Sequence, residues 1–465
     1  MGGFFGVVAQ DDCVSDLFYG TDYHSHLGTM RGGLAVRNSR GIERHIHDIT
    51  NTQFRSKFED DLSTLRGARG IGVISDYEDQ PLLIGSHLGM YAIVTVGVVK
   101  NVSELVSQAL GKREHFSEMS GGQVNPTELV ATLINQEATF EDGIRSAQEA
   151  IKGSCSILLL TDHGVYAARD RLGRTPVIIG QKEGACAATL ETCAFPNLGY
   201  TEARRLGPGE IVRLTEDGIE LLSPPGDRLQ ICAFLWVYYG YPASDYEGIN
   251  VEATRNRCGI ALARRDQAQV DMVAGVPDSG TGHAIGYAAE RSLPFRRLFV
   301  KYTPTWPRSF MPQDPRVREL VAKMKLIPVG ALIKDKRLLF CEDSIVRGTQ
   351  LRDTIQRLYE AGAKEVHMRP ACPPLVHGCK FLNFSQSRSE LELAARRAIN
   401  ELGDTDPEAL AEYADCTSDK HAAMVEHIRD RLNLTSLQYQ RLPDLVEAIG
   451  LPKEKLCTYC WDGAE

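Results

Sequence analysis

Short apolar runs of strand length punctuate the first half of the chain, over residues 4–9, 90–99, 155–161 and 176–180. Apolar positions at helical spacing lie between them, near 104–110 and 126–134. Pro208, Gly209 and Glu210 make a turn ahead of a further strand over 211–214. The run Ser223-Pro224-Pro225-Gly226-Asp227 breaks both periodicities and is the best linker, so the chain divides into 1–226 and 227–465. From about Val251 helix and strand patterns alternate, which favours a parallel sheet. After Ser387 the pattern is mostly helical, with Leu391, Ala394, Ala395 and Ala398 on one face.

Composition narrows the class. At 465 residues two or three domains are expected, and 43% hydrophobic with 24% charged residues describes a soluble globular protein. A net charge of −9 and the lack of a basic helix argue against nucleic acid or an anionic membrane as the main partner. No N-terminal segment joins basic residues to a long apolar run, and no stretch approaches ~20 apolar residues. Met1-Gly2 begins like a myristoylation site, but Gly6 stands where Ser or Thr is needed. A cytoplasmic protein is expected, its twelve cysteines reduced thiols or metal ligands.

The stretch from Arg337 to Gln350 carries the most chemistry. A buried-type strand ends in Glu342 and Asp343, then Ser344-Ile345-Val346-Arg347-Gly348-Thr349 turns into a helix with Leu351, Ile355 and Leu358 on its apolar face. A helix start offers unpaired amides and the positive end of its dipole to a phosphate. The acids sit where open α/β sheets bind ligands, placed for sugar hydroxyls or a metal. No Lys follows Gly348 and no Gly-x-Gly-x-x-Gly is present, which excludes a P-loop and a dinucleotide turn. Phosphate beside diol-binding acids points to phosphoribosyl pyrophosphate (PRPP), and these residues resemble the PRPP motif of type I phosphoribosyltransferases.

About sixty residues earlier, Asp271 to Gly282 forms a second strand and a turn rich in small residues, Asp278-Ser279-Gly280-Thr281-Gly282, leading into a helix around 284–288. It resembles the pyrophosphate loop of the same family. Lys301 to Phe310, with Arg308, has the position of a mobile, basic, aromatic lid. Together with Lys323-Met324-Lys325-Leu326, these segments resemble the amidophosphoribosyltransferases over essentially the whole chain. The resemblance implies that Glu342 and Asp343 hold the ribose hydroxyls and, with Ser279, a magnesium ion. Ser344 to Thr349 would cradle the 5′-phosphate, Asp278 to Gly280 would meet the pyrophosphate, and Lys301 and Arg308 would assist catalysis. Gln350 replaces a hydroxyl residue usual in the family, and the lid is altered and slightly longer.

The opening Met1-Gly2-Gly3-Phe4-Phe5-Gly6-Val7 resembles the family's first strand with one change. The family has a cysteine after Met, whose thiol attacks glutamine; here that position is Gly2, which offers no nucleophile. Cys13 is no substitute, because exposing it would delete the first strand. Against the family pattern, Val73 and Leu27 stand where Arg residues are usual. Val96 replaces an Asn that completes the oxyanion hole, a group worth about 3 kcal/mol of barrier, and Pro126 replaces an Asp that binds the α-amine. Five losses in one direction imply a folded glutaminase domain that no longer hydrolyses glutamine. Arg169 to Pro176 and Pro208 to Glu210 resemble its scaffold.

Cys457-Thr458-Tyr459-Cys460 is a chelating pair that by itself fits zinc, an iron–sulfur cluster or two unrelated thiols. The resemblance adds Cys232 and Cys379, which fall on positions that many members use with it to bind a [4Fe–4S] cluster. The other eight cysteines read as ordinary thiols. His45-x-His47 and His24-x-His26 have one-face strand spacing, but no third ligand stands nearby in sequence, so they read as surface or packed histidines.

The expected architecture is α+β and α/β, an N-terminal nucleophile hydrolase-like four-layer sandwich followed by a type I phosphoribosyltransferase domain with a helical, cysteine-containing tail. The expected reaction forms 5-phosphoribosylamine from PRPP, the first step of purine synthesis, with ammonia in place of glutamine. The alternatives are a non-catalytic PRPP-binding regulator or pseudoenzyme subunit, suggested by the altered lid and Gln350, and transfer to another amine. The resemblance also implies a homotetramer.

Overall fold

The computed structural model describes residues 2–76, 78–120, 122–301, 326–382, 389–404, 406 and 409–465. Its first half is built on the alternation of side chains along strands. In the strand Gly3–Ala9, Phe5 and Val7 pack on one face with Leu17, Phe18, Phe54 and Phe58 from the helices Val14–Asp22 and Phe54–Thr64. Phe4 and Val8 face the other way and join Leu158, Leu160 and Val165 of a second sheet. That sheet in turn buries Tyr91, Ile93 and Leu159 against Leu129, Val130 and Ile134 of the helix Pro126–Ile134. Three apolar layers therefore separate helix, sheet, sheet and helix, the expected sandwich.

Both sheets are antiparallel. The first has seven strands, in the order Thr201–Arg205, Ile178–Lys182, Ala185–Thr189, Gly3–Ala9, Arg69–Ser75, Arg31–Asn38 and Gly41–Asp48. The second has six, with Gly153–Thr161 paired between Gly164–Ala168 and Gly89–Val99. The strand expected from Pro176 begins two residues later, at Ile178. Pro176 has no N–H to give a ladder, and the Thr175 carbonyl accepts from the buried Arg169 Nε at 2.8 Å instead.

The second half holds a parallel sheet in the order Met272–Gly275, Arg337–Glu342, Glu365–Pro370 and Ser436–Leu437. Leu338 and Phe340 face Ile355 and Leu358 of the helix Thr349–Glu360. Leu339 and Cys341 face Cys258, Leu262, Ala284 and Tyr287 of the helices Val251–Arg265 and Thr281–Glu290. Helices on both faces leave the C-terminal strand ends open as a ligand crevice. The tail returns as Leu456–Cys457 to pair in parallel with Ile231–Cys232.

The halves are joined through buried polar contacts. Tyr246 Oη donates to Glu191 at 2.9 Å, the Asp245 amide donates to Thr192 Oγ1 at 2.8 Å, and Arg169 pairs with Glu247 at 2.8 Å. Among the described residues no helix is long and apolar enough to cross a membrane.

Candidate active site

The strand Arg337–Glu342 carries Glu342 to its C-terminal end, with Asp343 one residue beyond. Ser279, from the loop after Met272–Gly275, reaches across to both. Its Oγ donates to Asp343 Oδ1 at 2.6 Å and lies 3.5 Å from Glu342 Oε1. The Asp343 amide donates to Glu342 Oε1 at 3.1 Å, and Ser344 Oγ to Asp343 Oδ2 at 2.8 Å. Burial, then the neighbouring Asp343 charge, pushes the Glu342 carboxyl well above the usual carboxylate range. Three hard oxygen donors thus meet at one point.

Gly280 sets how closely this loop approaches. A Cβ there would lie 2.3 Å from the Cys341 carbonyl oxygen, so only glycine lets the loop run against the acid-bearing strand. Gly348, at φ +74°, turns the chain into the helix Thr349–Glu360, whose start no side chain caps. Ile345 is buried and pins the turn, the Val346 carbonyl accepts from the Ala394 amide, and Arg347 pairs with Glu392 at 2.9 Å. The turn Ser344 to Thr349 therefore wraps the positive end of a twelve-residue helix, beside the acids. Lys301 closes the strand Phe299–Lys301 and pairs with Asp278 Oδ2 at 2.7 Å. Arg308, the rest of the expected lid and Lys323 to Lys325 lie outside the described residues.

Two buried residues near this crevice carry no sequence signal. Arg255 donates from Nε to the Trp236 carbonyl at 3.1 Å and from Nη2 to those of Tyr238 and Gly240 at 2.9 Å. His283 lies fully buried, its Nε2 3.2 Å from the Val237 carbonyl, and burial with the Arg255 charge lowers it to about 4. Arg255 stands among polar residues of an ordinary helix, so only the fold reveals that it faces inward.

Cys232, Cys379, Cys457 and Cys460 line one cavity with Arg174, Phe234, Phe381, Leu382 and Trp461. Cys379 Sγ accepts from the Phe381 and Leu382 amides at 3.4 and 3.3 Å, and Arg174 lies over the Phe381 ring at 3.4 Å. Burial and the neighbouring sulfurs push the Cys232 thiol up. All twelve cysteines are free thiols. No three of these four sulfurs lie within 4.8 Å of one another, since the three-residue group that meets that limit among the described residues holds no cysteine. Tetrahedral zinc with ~2.3 Å bonds would bring sulfurs to about 3.8 Å of one another, closer than any three of these stand here.

The five positions expected for a glutaminase site lie in the sandwich. Phe4 is directly opposite Val73 across the first strand pair. Val73, Leu27 and Val96, at 1%, 4% and 2% exposure, belong with Phe4 to the same apolar core. Pro126 is half-buried and opens its helix, where the Asn125 side chain accepts from the Thr127 amide at 2.8 Å. A Cβ on Gly2 would lie 2.4 Å from the Ile74 carbonyl oxygen. None of the five positions offers a polar side chain.

Residues 68–195 match the family model of the glutamine amidotransferase domain. The chain is similar to the amidophosphoribosyltransferase of Bacillus subtilis, 31% identical over 413 residues, which cover 86% of this chain and 85% of the relative. It is similar to that of Methanothermobacter thermautotrophicus, 29% identical over 484 residues, covering 99% and 93%. Among solved structures it resembles the glutamine PRPP amidotransferase from B. subtilis complexed with ADP and GMP. That match has a TM-score of 0.85 and 27% identity, covering 99% of this chain and 96% of the other.

Proposed function

Since this chain belongs to the amidophosphoribosyltransferase family, we propose that it forms 5-phosphoribosylamine from PRPP and ammonia, while its amidotransferase half no longer hydrolyses glutamine. One contrast carries the reading. Ser279 joins both acids beside an uncapped helix start, whereas Leu27, Val73 and Val96 are packed into apolar core.

In this reading the 5′-phosphate lies on the turn Ser344 to Thr349, held by amides, hydroxyls and the helix dipole. Glu342 and Asp343 accept from the ribose hydroxyls and fix the ring. Ammonia attacks C1 as the C1–oxygen bond breaks, and pyrophosphate leaves toward Asp278 to Gly280. The new ammonium then gives up one proton to water. Lys301 and Arg308 would neutralise charge on the departing group and keep water out. No protein nucleophile is required.

Ser279, Glu342 and Asp343 fit Mg²⁺, because all three offer hard oxygen and a cation offsets the burial and the Asp343 charge that raise Glu342. When bound, Mg²⁺ supplies neutralising charge for the pyrophosphate. The four cysteines gathered on one cavity and the amides aimed at Cys379 support a [4Fe–4S] cluster on Cys232, Cys379, Cys457 and Cys460, tying the tail to the junction. The boundary at 226/227 is supported by the chain leaving the second sheet after Ser223 and pairing with the tail from Ile231. A reducing cytoplasmic setting agrees with the free thiols.

The test is pyrophosphate release from PRPP with Mg²⁺, in the presence and absence of an ammonium salt. Ammonium-dependent release is expected. Tight PRPP binding by calorimetry with no release for any amine would overturn the catalytic reading in favour of a PRPP-binding regulator.

A further inference from the structure

His45 and His47 lie two residues apart on the strand Gly41–Asp48, at the edge of the seven-stranded sheet, so both side chains point to one face. The helix Phe54–Thr64 packs against that strand and brings Asp61 between them. His45 Nδ1 is 2.9 Å from Asp61 Oδ1, and His47 Nε2 is 2.6 Å from Asp61 Oδ2. The three ligand atoms lie within 4.8 Å of one another, and no other three histidine, cysteine, aspartate or glutamate residues do so among the described residues. The sequence holds only the histidine pair; the fold supplies the carboxylate.

We propose that His45, His47 and Asp61 form a binding site for a divalent transition-metal ion of the zinc class. Two imidazole nitrogens and a carboxylate are a borderline donor set, suited to zinc, nickel or copper and poorly suited to magnesium or calcium. The orienting contacts that such ligands need are present. Glu43 Oε1 lies 3.3 Å from His45 Nε2, the nitrogen that turns away from Asp61, as in a carboxylate–histidine–metal arrangement. The Phe58 ring meets His47 edge-on at 4.5 Å and restricts its imidazole. Side-chain exposures of 25%, 34% and 16% leave an entry path and room for water as a fourth ligand. A cation there would replace the two N–H hydrogens now donated to Asp61 and clamp strand to helix. The donor set is distinct from the oxygens around Asp343 and from the thiol cavity, so it does not depend on the proposed reaction.

The experiment titrates the full chain with Zn²⁺ by calorimetry and with Co²⁺ by absorption. One equivalent is expected to bind at least tenfold more tightly to the wild type than to His47→Ala or Asp61→Asn. Its Co²⁺ adduct should show visible ligand-field bands without the near-ultraviolet band of a thiolate ligand, and Zn²⁺ should raise the melting temperature only where the site is intact. All three residues are partly exposed, and circular dichroism of the metal-free variants checks their fold. If a variant unfolds, broadening of the His45 and His47 ring signals by Co²⁺ in the wild type supports the site, and unbroadened signals overturn it. Uptake that is absent, unchanged by either substitution, or purely thiolate in its spectrum also overturns it.

Discussion

The Ile74 carbonyl oxygen occupies the place a side chain on Gly2 would need, 2.4 Å from its Cβ position. Gly3 pairs with Ile74 in the same strand ladder, so relieving that contact means shifting the pair that organises the sheet. A side chain at position 2 therefore requires the backbone around it to move. Gly2→Cys is expected to leave glutamate release from glutamine at background, because Leu27, Val73 and Val96, proposed to stand at the glutamine-anchoring positions, remain apolar core. Mass spectrometry of glutamate from the purified variant checks this.

Ser279 bridges the two loops of the transferase crevice. Removing its hydroxyl leaves Glu342 and Asp343 to face each other without a shared donor. Ser279→Ala is expected to lower ammonium-dependent turnover about 10²-fold, a loss typical of one preorganised polar group. The Mg²⁺ concentration giving half-maximal rate should rise with it. Steady-state kinetics across a Mg²⁺ series separates the two effects.

The sequence displayed what is contiguous. The apolar run ending in Glu342 and Asp343, then Gly348 and a helix, is a local pattern, and the structure keeps its order. The helix Pro126–Ile134 was equally legible, since Asn125 and Pro126 make a helix start by themselves. Contacts between distant residues were not. Ser279 meets Asp343 across sixty-four positions, and Asp61 reaches His47 across fourteen. Arg255 lies in a charge-rich helix and Asp266 just past its end, with nothing local to mark them, yet both are buried. The cysteine pairing needed the family resemblance, because nothing local links Cys232 to Cys457 until their strands align.

Asp266 holds the transferase core together. It accepts from Arg369 at 2.5 and 3.0 Å and from Tyr287 at 2.6 Å. Burial acts to raise its carboxyl, but the bonds and charge of Arg369 prevail and hold it at about 2. The unfolded value is ~3.9, so this stabilisation is complete above about pH 4 and is lost as pH falls toward 2. Asp266→Asn strands a buried guanidinium and is expected to cost about 3–5 kcal/mol at neutral pH. The gap to wild type should narrow below about pH 4, as denaturant unfolding at several pH values would record.

Cys457→Ser removes one of four sulfurs from the cavity at the junction. If the proposed cluster sits there, the variant prepared anaerobically is expected to lack the iron and visible absorption of the wild type, and to melt several degrees lower, because the tail is no longer anchored beside Cys232. Iron analysis and differential scanning calorimetry of both proteins check it.

The most direct measurement follows pyrophosphate and glutamate together, in one sample of protein with PRPP and Mg²⁺ given either glutamine or ammonium. Pyrophosphate is expected with ammonium, and neither product above background with glutamine. Glutamate formed in step with pyrophosphate would contradict it.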